Sequence, residues 1–245
     1  MTGSESEKSP LRGKVALITG GGQGIGLALA HALAAEGCNV VLSARNSGTL
    51  QRAVRALTRY KIKALAVVCD VREASSVNVL AAQVGRNFRR LDILINNAGV
   101  AHPNLNIAQL PLDTWQDVIG TNLTGMFLVT QAMLPLMRAG GTIVNNLSIA
   151  AKRAFPGAAA YSASKHGAFG FTKTLREEVR GQGIRVIALL PGAADTMIWD
   201  QFWPDAPRKK MISPKTVARA VVNVLALPAE STAEELTIMP TAGVL

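Results

Sequence analysis

Seven short apolar runs punctuate the chain: VALIT (15–19), VVLSA (40–44), ALAVV (64–68), LDILI (91–95), TIVNN (142–146), IRVIALL (184–190) and ELTIM (235–239). Between them lie longer stretches with helical spacing, at 24–36, 48–60, 73–87, 113–138, 161–180 and 214–226. Runs this short and nearly continuous suit strands covered on both faces, as in a parallel sheet. The alternation of strand and helix, with right-handed crossovers, predicts an α/β fold: a doubly wound parallel sheet of about seven strands with helices on both faces. Ligands of such sheets sit beyond the carboxyl ends of the strands, which directs attention to the residues that follow each run.

At 245 residues the chain is long enough for one large domain. Residues 1–10, MTGSESEKSP, read as a loose polar tail rather than a signal peptide, and 11–245 as a single domain without an internal linker or repeat. No apolar stretch reaches the roughly 18 residues that a membrane span needs, so no membrane association is expected and the protein is expected in the cytosol. Two cysteines, Cys38 and Cys69, are too few for a disulfide framework and read as reduced, with at least Cys69 buried. The three histidines, His31, His102 and His166, are scattered and give no metal site.

Lys and Arg outnumber Asp and Glu by 26 to 16, but the excess is dispersed. Its densest pieces, such as Arg52, Arg55 and Arg59, read as solvated helix faces. A nucleic-acid surface would interleave cations with aromatics, and only 4% of the residues are aromatic. Steering of an anionic cofactor or an acidic acyl carrier is the better use of this charge.

The first run ends in TGGGQGIG, Thr19 to Gly26, before a helical stretch. Gly20, Gly24 and Gly26 are spaced G-x-x-x-G-x-G. Glycines there permit a tight turn and let backbone amides and a helix N-terminus approach a diphosphate. At the end of the second run an NAD site usually carries Asp or Glu for the ribose 2′-hydroxyl, whereas a 2′-phosphate calls for a cation. Here Ala44 stands in place of the acid and Arg45 follows, which predicts NADP(H), with Ser43 and Asn46 as candidate helpers. The alternative is that Arg45 is merely a solvated loop residue.

Taken in order, Thr19 to Gly26 as TGxxxGIG, Asp70 in CDV, NNAG at 96–99, Asn122, Ser148, YSASK at 161–165 and PGAADT at 191–196 resemble the short-chain dehydrogenase/reductase family, including its 3-oxoacyl-carrier-protein reductase-like members. The resemblance runs from about Leu11 to Pro240 and implies a Rossmann-type sheet binding NADP(H). It implies that Tyr161 is the general acid/base, with Lys165 holding the nicotinamide ribose and tuning the tyrosine. The residues agree: at spacing i, i+4 the two project from one helix face, and a fixed ammonium would lower a phenol pKa of about 10 toward the catalytic range. The small side chains Ser162, Ala163 and Ser164 leave room for a cofactor.

On the same resemblance Ser148 donates to the substrate carbonyl oxygen, and the backbone carbonyl of Asn122 holds a proton-relaying water. The cofactor-binding set it implies is Gly20, Gly22, Gln23, Gly24, Ile25, Gly26, Arg45, Asp70, Val71, Asn97, Ala98, Gly99, Tyr161, Lys165, Pro191, Gly192, Ala194 and Thr196. Asp70 would accept from the adenine amino group, Val71 would lie beside the ring, and Asn96 would tie neighbouring strands. Gln23 departs from the basic residue that many NADP enzymes carry there, which leaves the phosphate to Arg45.

Substrate choice falls to 100–110, 149–157 and 193–212. The last holds Met197, Ile198, Trp199, Phe202 and Trp203: either a hydrophobic lid, with Trp199 on the substrate, or a helix packed on the core or a second subunit. Three readings stay open: an NADP(H)-dependent reductase of ketones, with 3-oxoacyl thioesters the favoured class; a dehydrogenase of 3-hydroxy acids or hydroxy amino acids; and a cofactor-sensing regulator. Pairing into homodimers or homotetramers through 113–138 and 161–180 is implied by the resemblance alone.

Overall fold

The computed structural model describes residues 9–244, so residues 1–8 of the expected tail lie outside the described residues. Seven strands form one sheet: β1 Val15–Thr19, β2 Asn39–Ala44, β3 Ala64–Val68, β4 Ile93–Asn96, β5 Thr142–Asn146, β6 Arg185–Pro191 and β7 Glu235–Ile238. All neighbours are parallel, in the order β3-β2-β1-β4-β5-β6-β7. The order reverses between β1 and β4, and a crevice opens there at the carboxyl ends of the strands.

Alternate side chains of each strand enter opposite layers. Ala16 and Ile18 of β1 join Val40 and Leu42 of β2 under α1 (Gly24–Ala35), α2 (Ser47–Leu57) and, over the other half of the sheet, α8 (Pro214–Leu225). Val15, Leu17 and Val41 point the other way, toward α3 (Ala74–Phe88), α5 (Gly125–Met133) and α6 (Ala159–Arg180). Both faces of the central strands are therefore dry, which is why their sequences are continuous rather than alternating in polarity. β7 is the exception: as the sheet edge it alternates exposed and half-buried residues, against the expectation of cover on both faces.

The expected helix over 113–138 is broken. α4 (Leu112–Ile119) runs into a π turn, Gly120–Thr124, then α5, and a 3-10 turn at Leu134–Leu136 containing Pro135. Gly120, Thr121 and Asn122 are weak helix formers, and the Asn122 side chain takes its hydrogen bonds from outside the helix. The stretch 48–60 likewise leaves α-geometry after Leu57 and closes in a 3-10 turn. Cys38 and Cys69 are both buried and free. Among the described residues no helix is long and apolar enough to cross a membrane, and no cluster of metal-ligating side chains occurs.

Candidate active site

A cavity of about 490 Å³ opens at the carboxyl ends of the strands. One wall is the turn between β1 and α1. Gly20 has φ +64°, a left-handed conformation, and a Cβ there would come within 3.0 Å of Ala98 Cα. Thr19 Oγ1 accepts from the backbone N–H of Asn97 (2.9 Å) and Ala98 (3.0 Å), and Asn97 Nδ2 donates back to Thr19 O (2.9 Å). This stitching locks the turn to the end of β4. Gln23 starts α1 without a side-chain cap, and no acid occupies its first turn, so the helix N-terminus keeps free amide donors and positive potential. Gly22, Gln23, Gly24 and Ile25 line the cavity beside it. A wall of backbone amides with no side chain in the way fits a dinucleotide diphosphate.

At the end of β2, Ala44, Arg45 and Asn46 line the same cavity. Arg45 is exposed and has no ion-pair or hydrogen-bond partner among the described residues. Ser43 is buried with an unpartnered Oγ, whereas Asn46 Oδ1 is already spent, accepting from Thr49 N (2.9 Å) to cap α2. Of the two candidate helpers, Ser43 thus retains an unused group and the Asn46 oxygen does not.

Ser148 lies just beyond β5 and Tyr161 in the first turn of α6, so strand end and helix start face one another. Burial raises the Tyr161 phenol above its ordinary pKa, and a hydrogen bond with Ser148 opposes that rise. Ser148 Oγ also accepts from Ala150 N (3.1 Å), which orients it. Lys165 is 4% exposed; its Nζ donates to Asn146 O (3.1 Å) and stands 5.5 Å from the Tyr161 ring centre. Burial pushes Lys165 down to about 8. The expectation that the ammonium chiefly lowers the tyrosine is corrected here: desolvation dominates both groups, raising the acid and lowering the base.

Most of the expected set meets in this cavity: Gly20, Gly22, Gln23, Gly24, Ile25, Arg45, Val71, Asn97, Ala98, Gly99, Ser148, Tyr161, Lys165, Pro191, Gly192, Ala194, Thr196 and Trp199 all line it. Three do not. A Cβ on Gly26 would lie 2.4 Å from Gly20 O, so Gly26 serves close packing of α1 on the turn. Asp70 is turned to Arg72, which donates to both its oxygens (Nε–Oδ1 3.0 Å, Nη2–Oδ2 2.6 Å) and also pairs with Asp117 of α4. This pairing holds the Asp70 carboxyl below the usual range. Asn122 lies behind the wall, fully buried: Oδ1 accepts from Val100 N (2.8 Å), and Nδ2 donates to Val100 O (2.9 Å) and Ser164 Oγ (3.0 Å).

Asn96 does tie strands, donating to Asn145 Oδ1 and Thr130 Oγ1 at 2.9 Å each. Sequence reasoning did not single out Asn146, whose carbonyl holds Lys165 while its Nδ2 donates to Asn97 Oδ1 (2.8 Å). The repeated Asn of TIVNN was the available signal. Phe155, within the stretch 149–157 read as governing substrate choice, lines the cavity, as does Val244, which nothing local in the sequence marks.

The far end is walled by 197–203, containing the short helix α7 (Trp199–Phe202). Trp199 Nε1 donates to Ala194 O (2.9 Å), and Arg208 binds Asp195 (3.0 Å), Thr196 O (2.6 Å) and Asp200. The segment is thus fastened across the cavity, with the Phe202 ring 6.4 Å from that of Tyr161.

The model of the short chain dehydrogenase family matches residues 14–207. The 3-oxoacyl-[acyl-carrier-protein] reductase of Synechocystis sp. is 42% identical over 185 residues, 74% of this chain and 74% of that protein. A crystal structure of a variant of actinorhodin polyketide ketoreductase with NADPH superposes with a TM-score of 0.84 at 34% identity, covering 95% of this chain and 98% of the other. The 3-ketoacyl-(acyl-carrier-protein) reductase of Brucella melitensis complexed with NADH gives 0.85 at 30%, covering 94% and 98%. A match that begins at the first strand and runs through the fastened segment over the cavity leaves one assignment: the chain belongs to the short-chain dehydrogenase/reductase family and is an oxidoreductase.

Proposed function

We propose that the protein is an NADP(H)-dependent reductase that interconverts a ketone and a secondary alcohol, with 3-oxoacyl thioesters as the favoured substrate class. The observation that carries this reading is that Ser148, Tyr161 and Lys165 line one cavity together, with Lys165 buried and its Nζ 5.5 Å from the Tyr161 ring centre. The backbone of Gly22 to Ile25 would hold the diphosphate, Arg45 the ribose phosphate, Asn97 to Gly99 the adenosine ribose, and Lys165 the nicotinamide ribose. Pro191, Gly192, Ala194 and Thr196 would border the carboxamide. When bound, the reduced nicotinamide supplies hydride.

The chain's own residues do the rest. Ser148 donates to the carbonyl oxygen and stabilises the negative charge that grows there. Tyr161 gives its proton to that oxygen, completing the alcohol and leaving a phenolate that the Lys165 ammonium stabilises. In this reading the backbone carbonyl of Asn122, in the π turn, holds a water through which a replacement proton reaches Lys165 and then the Tyr161 phenolate.

The exposed cations Arg153, Lys209 and Lys210, in the stretches 149–157 and 193–212 read as governing substrate choice, support an acidic carrier as the bearer of the thioester. The hydroxy-acid alternative would need a cation for the carboxylate, and Arg208 is already engaged by Asp195 and Asp200. The regulator reading requires losses in the catalytic set, yet Asn122, Ser148, Tyr161 and Lys165 are all present. A cytosolic homodimer or homotetramer, paired through α4, α5 and α6, completes the proposal; Phe127 of α5, 43% exposed and edge-on to Phe171 of α6, supports it.

The test is consumption of NADPH and NADH with acetoacetyl thioesters, 3-oxo acids and simple ketones. NADPH is expected to be preferred, with Tyr161→Phe reducing turnover at least a thousandfold and Arg45→Ala removing most of the preference. Equal use of both cofactors by the wild type would refute the NADP assignment, and a Tyr161→Phe variant of normal rate would refute the mechanism.

A further inference from the structure

The substrate end of the cavity is apolar in a specific way. Of all the described residues that line the cavity, only Arg45 and Lys165 are charged. Arg45 stands at the end of β2, and Lys165 donates to Asn146 O. The opposite end is built from Ile149, Phe155, Met197, Phe202, Trp203 and Val244, with Gln201 as a neutral polar neighbour. The aromatic rings cluster: Trp199 packs edge-on against Phe202 at 5.7 Å and Trp203 at 6.4 Å, and Phe202 lies tilted to Tyr161 at 6.4 Å. Such packing leaves ring faces available to a further ring.

This wall is held in place before any ligand arrives. Trp199 is fixed through its indole N–H, and Arg208 grips residues on both sides of the turn into α7. A turn closed by Gly243 N–H to Pro240 O (2.9 Å), with Gly243 at φ +86°, brings Val244 back to the cavity rim after β7. Met197 (61% exposed), Trp203 (41%) and Val244 (42%) leave large apolar groups open to water around this end. A preformed apolar surface with few polar groups recognises a ligand by shape and desolvation.

We infer that the group flanking the reacting carbonyl is uncharged and ring-bearing, aromatic or alicyclic, and that Phe155, Phe202, Trp203 and Val244 select it. The inference rests on the reductase reading of Ser148 and Tyr161 and narrows its substrate. A free carboxylate near the carbonyl would enter this end with no cation to receive it, at a large desolvation cost. The same ring-bearing ketone could arrive free or as a 3-oxoacyl thioester, and the two sources are separable by assay.

The experiment compares kcat/KM, with NADPH, for 1-tetralone, the 3-oxo-3-phenylpropanoyl and acetoacetyl thioesters of N-acetylcysteamine, and acetoacetate. The better of the two ring-bearing ketones is expected to exceed the acetoacetyl thioester at least tenfold, with acetoacetate slowest; which of the two is better identifies the source. Trp203→Ala should lose tenfold or more on the ring-bearing ketones and less than threefold on the acetoacetyl thioester. Gln201→Arg, at an exposed position on α7, should raise kcat/KM for acetoacetate about tenfold by supplying the missing cation.

Binding is read separately as quenching by 1-tetralone of the two tryptophans left in a Trp115→Phe background. Quenching without turnover of any ketone would overturn the reductase reading on which the inference rests, whereas turnover of the acetoacetyl thioester without quenching would overturn the inference alone. Equal or better turnover of the acetoacetyl thioester or acetoacetate, or no quenching, would overturn the inference.

Discussion

At the scale of residues, Lys165 shows how a buried ammonium weighs on the fold that carries it. Its pKa falls from 10.5 to about 8, with burial as the cause, so below about pH 8 the folded chain carries a desolvated ammonium that the unfolded chain leaves in water. Between about 8 and 10.5 the unfolded state holds more protons than the folded one, and stability rises with pH across that window. The gap corresponds to about 3 kcal/mol, less about 1 kcal/mol for the hydrogen bond to Asn146 O. Lys165→Met is therefore expected to unfold at higher urea than the wild type at pH 7, with the advantage shrinking as pH approaches 10.5, and to lose turnover. A lower midpoint at pH 7 would show that the ammonium is better solvated than its burial implies. The Tyr161–Lys165 pair was legible in the sequence because i, i+4 spacing on a helix is local geometry. The direction of their pKa shifts was not, since desolvation depends on residues brought from β5 and α7. Val244 was invisible for the same reason: it reaches the cavity only after the chain has crossed the whole sheet.

At the scale of elements, the break between α4 and α5 is where local reasoning failed and function gained. The apolar spacing of 113–138 continues through the π turn, so the pattern alone reads as one helix. What interrupts it is Asn122, whose side chain satisfies Val100 N, Val100 O and Ser164 Oγ, groups 22 and 42 residues away in sequence. Removing it strands a part-buried donor and acceptor on Val100, in the loop after β4. Asn122→Ala is expected to cost about 2–4 kcal/mol in urea denaturation, a structural penalty over and above any loss of proton relay. A variant of wild-type stability but reduced rate would assign Asn122 to the relay alone. The strands, by contrast, were read to within two residues, because a strand dry on both faces writes its own boundaries in apolar composition.

For the whole molecule, the strand order puts both halves of the cavity at the carboxyl ends of the sheet, and a buried polar ladder ties its centre together. Asn96 of β4 bonds Asn145 of β5, which in turn donates to Thr172 of α6 at 2.9 Å. The exposed face of α5 against α6 is where a second copy of the chain would pair. Phe127→Arg places a charge there and is expected to halve, at least, the mass measured by light scattering after size-exclusion chromatography. An unchanged mass would move the pairing elsewhere. The return of Val244 to the cavity rim has a practical side. Leu11 lies at the opposite, amino edge of the sheet, with its carbonyl on Cys38 beside the end of α1. A bulky label introduced beside Leu11 would sit away from the cavity, whereas one attached at Val244 would start at the cavity rim and is expected to compete with substrate for entry.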